Sequence, residues 1–96
     1  MAEPARGPEI YADFQKVDDE DRLVLSTIGT QQDLDKWGVV LHDGLELLFW
    51  CDDLDDDGQR DDLLVEGTVL FDPDRASWVA AVDWGRLRHR SGLPVS

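Results

Sequence analysis

LLVEGTVLF, residues Leu63 to Phe71, decides the fold. Leu63, Val65, Val69 and Phe71 alternate around Gly67, the period of a strand with one buried face. A glycine in the middle of such a run marks a bend or bulge, as small barrels need. Upstream, LELLFWC (Leu45–Cys51) is a second strand of the same kind. Leu45, Leu47, Phe49 and Cys51 share one face; Glu46, Leu48 and Trp50 share the other. Downstream, Asp72-Pro73-Asp74-Arg75 reads as a tight turn into WVAAVD, residues 78–83.

The N-terminal half extends the pattern. IYADFQKV (Ile10–Val17) places Ile10, Ala12 and Phe14 on one face, and RLVLSTI (Arg22–Ile28) reads as its returning strand across an acidic turn at Asp18–Asp21. Thr30 then reads as a helix N-cap with Asp33 as the acid of a capping box, and Gly38 as the stop. Leu34 and Trp37, three apart, are expected to point into the core. His42-Asp43-Gly44 reads as a turn, and Trp84–His89 as one helical turn. The expectation is a mainly β domain: a five- or six-stranded antiparallel barrel or bent sheet with one short helix. An SH3-like barrel fits first and an OB-like barrel second. The domain should span residues 10–90, between a flexible arm at 1–9 and a frayed end at 91–96. The 96 residues leave room for one domain.

Charge narrows the partners. There are 22 acids against 9 bases, a net charge of −13, and a surface so acidic repels nucleic acid. The bases are uneven: Arg75, Arg86, Arg88 and Arg90 fall in the last 22 residues, beside one acid, Asp83. They read as neutralising the acidic body of their own domain. Cys51 is the only cysteine, so no internal disulfide forms and a reducing compartment fits. No apolar run is long enough for a membrane helix, and MAEPARGPEI lacks an apolar leader core, so a cytoplasmic protein away from membranes is expected.

The loop from Asp52 to Asp62 carries seven aspartates. Within it, Asp53-Leu54-Asp55-Asp56-Asp57-Gly58 matches the first half of a calcium loop, and Asp61 falls at the ninth position. Hard oxygens at alternate positions around a glycine turn can wrap Ca²⁺, which makes Asp53, Asp55, Asp57 and Asp61 candidate metal ligands. Against this, Leu64 stands where a calcium loop places its bidentate glutamate, and strands flank the loop instead of helices. A solvated acidic loop is the simpler reading, with no cofactor.

Catalytic patterns are missing. The sequence has no nucleophile elbow and no glycine-rich phosphate loop. One cysteine and two histidines fall short of a structural zinc set. An enzyme is not expected.

From GTQQDL (Gly29–Leu34) through DDLDDDG (Asp52–Gly58) to VEGTVLFDPDRASWVAAVDWGRLRH (Val65–His89), the chain resembles a group of small acidic bacterial proteins of unknown function. VEGTV and WVAAVDW carry most of that resemblance, which spans residues 10–91 and implies no activity.

Four tryptophans remain to be placed. Trp37 and Trp78 read as core anchors. Trp50 lies in the opposite register to the core positions, and so do Leu48, Leu64 and Leu70. A small domain has limited interior, so these four are the candidate contact surface for a protein partner or a second copy. Substituting Trp50 by serine would then leave the fold standing. Three functions follow: a non-enzymatic protein-interaction module, a calcium-binding or calcium-stabilised domain, or an acidic mimic of nucleic acid that blocks a basic binding site.

Overall fold

The computed structural model describes residues 8–54 and 57–92. Six strands and one helix follow in order: β1 (Glu9–Tyr11), β2 (Leu23–Val24), α1 (Ile28–Trp37), β3 (Glu46–Cys51), β4 (Leu63–Asp72), β5 (Ser77–Val82) and β6 (Arg88–His89). A 3₁₀ turn, Trp84–Arg86, joins β5 to β6. One sheet runs β1-β3-β4-β5-β2, with β6 also on β4, and curls into a half-barrel. The mainly β class with one short helix is as the periodicity implies.

The central strands keep the expected register. Phe49 faces Val65, Leu47 faces Gly67, and Val69 faces Ala80. These residues form the buried core with Ile10, Ala12, Leu23, Leu25 and Leu34. Gly67 makes the curl possible. A Cβ there would lie 2.6 Å from Val82 Cγ1 and 3.0 Å from Phe49 Cε2. Without one, the Val82 and Phe49 side chains of the two flanking strands close over β4 at this point. Phe71, at the end of the row, is 40% exposed and stacks edge-on against Trp78 instead of entering the core.

The N-terminal hairpin is different from the expectation. β1 runs parallel to β3, with Ile10 opposite Phe49, while β2 pairs antiparallel with β5, Leu23 opposite Ala80. Between the two halves of the expected hairpin, the pairing comes down to a bridge at Val17 and Leu23 with two flanking backbone bonds. The reason is the curl. β1 and β2 lie at opposite ends of the strand order, so residues 12–22 must cross the open side of the half-barrel. Ala12 and Phe14 still pack on the core during the crossing. The turn that follows is shaped by Asp18. Its Oδ1 accepts the Glu20 and Arg22 N–H groups, both at 2.9 Å, and its Oδ2 accepts Arg22 Nε at 2.7 Å. Arg22 also reaches Asp72, and Arg75 reaches Asp19, which fastens this turn to the β4–β5 turn.

The helix begins earlier than expected, at Ile28, with Thr27 as N-cap. It ends at Gly38, whose φ of 65° suits the cap. Helix α1 packs its backbone against β1 and reaches β3 through the Asp33 side chain. Thr30 and Leu34 are buried, whereas Trp37 in the last turn is 43% exposed. Trp37 is therefore not the core anchor its spacing suggests.

Of the expected terminal segments, residues 1–7 and 93–96 lie outside the described residues. Glu9 belongs to β1, and Ser91 gives its N–H and its hydroxyl to Asp61.

Candidate functional site

Trp50 sits in the register that faces away from the core, next to Tyr11 on β1 and Leu64 on β4. Its indole is held rather than presented. Tyr11 meets it edge-on with ring centres 5.1 Å apart, and the Arg60 guanidinium lies 5.6 Å over the ring. Trp50 Nε1 donates to Asp33 Oδ2 at 2.9 Å, and the same oxygen accepts the Tyr11 N–H at 2.8 Å. One turn earlier on α1, the Thr30 hydroxyl donates to the Tyr11 carbonyl at 2.7 Å. The helix thus satisfies the free edge of β1 with two side chains, where another strand would otherwise pair. Gly29 lets it come this close: a Cβ there would fall 2.6 Å from the Tyr11 ring. Asp33 is a clasp between helix and sheet, not a capping acid.

The other candidate contact residues divide. Leu48 is half-buried and lies on the same face as Trp50, two residues along β3. Leu64, opposite Trp50, is only 8% exposed. Leu70 is half-buried but lies at the far end of β4, opposite Val79, with Glu66 and Thr68 between it and Leu64. The structure therefore brings Leu48, Trp50 and Leu64 together and leaves Leu70 apart.

Between them the outer face has a dip. Glu46, Thr68 and Ala81 stand in one row across β3, β4 and β5, and Leu48 stands opposite Glu66 in the next. Thr68 and Ala81 are short, while Glu46, Leu48 and Glu66 around them are long. The result is an open depression of about 630 Å³, which Asp83 and Arg86 also line. Glu46, Ala81 and Asp83 are exposed. Sequence reading missed Thr68, Ala81 and Asp83 here. Their signal lay in cross-strand register, which pairs residues far apart in the chain.

The candidate calcium ligands have other partners. Asp53 Oδ2 lies 2.8 Å from His89 Nε2 on β6. The His89 hydrogen bond, with the Leu54 N–H, holds the Asp53 carboxyl below its usual range. The Asp61 carboxyl is pulled down by the Ser91 hydroxyl against the effect of desolvation. Asp57 is exposed, and Asp55 lies outside the described residues. Among the described residues, no three of His, Cys, Asp and Glu are grouped to hold a metal ion. Burial pushes the half-buried Cys51 thiol up, away from the reactive thiolate.

Every described arginine meets a carboxylate of its own chain. Arg22 binds Asp18 and Asp72; Arg60 binds Asp52 and Asp62; Arg75 binds Asp19. Arg86 is near Asp83, Arg88 grips Glu66 with both terminal nitrogens, and Arg90 binds Glu9 and Asp62. The C-terminal arginines thus serve the domain itself, as their placement in the sequence suggests. Among the described residues no helix is long and apolar enough to cross a membrane. Comparisons with protein-family models, with curated proteins and with solved structures found no match.

Proposed function

We propose that the chain is a non-enzymatic binding module whose partner is a protein with a basic surface. The observation that carries this reading is the use of the arginines. Each described arginine is engaged by carboxylates of the same chain, while the whole carries a net charge of −13. The charge left to meet a partner is negative. Such a field steers a basic protein to the surface and rejects acidic ones. Leu48 and its neighbours on the outer face add apolar contact to that charge.

The test is affinity capture on the immobilised chain, using extract of the cells that make it. The captured protein is then purified and bound again over a salt series. A basic partner whose affinity falls steeply with NaCl is expected. A partner that is acidic, or that binds equally at low and high salt, would refute the reading. Competition by duplex DNA for the captured protein shows whether the chain covers a nucleic-acid-binding surface, as an acidic mimic would.

A further inference from the structure

We infer that the depression on the outer face of β3, β4 and β5 is the docking site, and that it takes a lysine- or arginine-bearing segment of the partner protein. This rests on the proposed binding function and names where it acts. Three features point to such an occupant. The floor is short, because Thr68 and Ala81 follow Glu46 in one row while Leu48 and Glu66 stand long in the next, so an incoming side chain can lie against the sheet. The rim is acidic. Glu46 and Asp83 are exposed on it, and the nearest basic group to Asp83 is Arg86 at 3.9 Å, with both side chains at least 70% exposed. A pair so open to water holds its partners weakly, so an incoming cation displaces it at little cost. Leu48, half-buried beside Glu46's row, gives the aliphatic stem of a lysine or arginine something to cover. Glu66 is already gripped by Arg88, so Glu46 and Asp83 are the carboxylates that receive the cation.

The experiment uses the full chain and a labelled ten-residue peptide of alternating lysine and leucine. Binding is followed by fluorescence anisotropy and mapped by amide shift perturbation. The perturbed amides are expected at Glu46, Leu48, Thr68 and Ala81. Ala81→Arg, which fills the dip and adds a positive charge, should weaken binding about tenfold, and Glu46→Lys should do so by a similar factor. Both positions are exposed, and unchanged circular dichroism verifies the fold of each variant. Binding that maps elsewhere, such as the loop 52–62, and survives both substitutions overturns the site but leaves the basic partner standing. Failure to bind this peptide and polylysine alike overturns both. A chain that sediments as a dimer, and that Ala81→Arg converts to a monomer, assigns the depression to a second copy and overturns the basic segment.

Discussion

Asp33 on α1 and Trp50 on β3 are joined by a 2.9 Å hydrogen bond, and the oxygen that makes it also accepts the Tyr11 N–H of β1. One carboxylate thus fixes a helix, an edge strand and an indole. Asp33→Ala removes the acceptor for both donors and should cost about 2 kcal/mol in urea denaturation, whereas Trp50→Phe, which loses one donor and keeps a ring, should cost about 1. The double mutant should cost less than the sum, since the two changes break a shared bond. Additive losses would show that the bond contributes nothing. Trp50→Ser, expected from the sequence to spare the fold, should instead destabilise it by more than Trp50→Phe.

Gly67→Ala tests the curl. The new Cβ meets Val82 Cγ1 at 2.6 Å, and the Ala81 carbonyl oxygen lies 3.2 Å away. Backbone on one side and a core ring on the other leave little room to yield. A loss of about 1–3 kcal/mol is expected from overpacking of this kind. A denaturation midpoint equal to that of the parent would mean that β4 does not need the glycine.

Ala76 closes the β4–β5 turn with a φ of 49°, in the left-handed region. An L-residue with a Cβ costs about 1 kcal/mol there relative to glycine. Ala76→Gly should therefore raise stability by up to about that amount, less the extra freedom glycine gains when unfolded. A lower melting temperature for Ala76→Gly would contradict this account of the turn.

Acid should loosen the turn at Asp18. Burial works to raise the pKa of this carboxyl. The Arg22 N–H, the Arg22 side chain and the Glu20 N–H outweigh burial and hold it below the usual value. A folded pKa below the unfolded one gives stability that is present above the unfolded value, about 3.9, and is lost as pH falls through the folded value. The parent should therefore exceed Asp18→Asn in stability at pH 7, and the gap should close below about pH 4. Urea titrations at several pH values read this directly, and a gap that stays constant down to pH 2 would refute it.

Much of this was legible in local pattern, and what was not depended on partners distant in the chain. Alternation at Leu47, Phe49, Val65 and Val69 placed the core face because a strand buries every second side chain whatever strand lies beside it. The same rule put Trp50 on the outer face. It could not show that Ile10 pairs with Phe49, since nothing in a strand's own pattern selects its neighbour. The acidic turn at Asp18–Asp21 suggested a full hairpin, but the bonds that Asp18 makes shape a turn with only a single bridge behind it. Asp33 fitted a capping box three residues after Thr30 as well as it fits its observed place. Only the approach of β1 and β3 to α1 decides between the two.

The crossing of residues 12–22 from one sheet edge to the other sets the order of assembly. Ile10 waits for Phe49, about half-way along the chain, and Leu23 waits for Ala80, so β2 has no strand partner until most of the chain has been made. A ribosome releasing this protein therefore exposes β2 before its partner strand exists, whereas β1 and the Trp50 strand can already pair. Distant pairings of this kind slow folding to milliseconds or longer. A net charge of −13 opposes association between copies of a chain that folds this late.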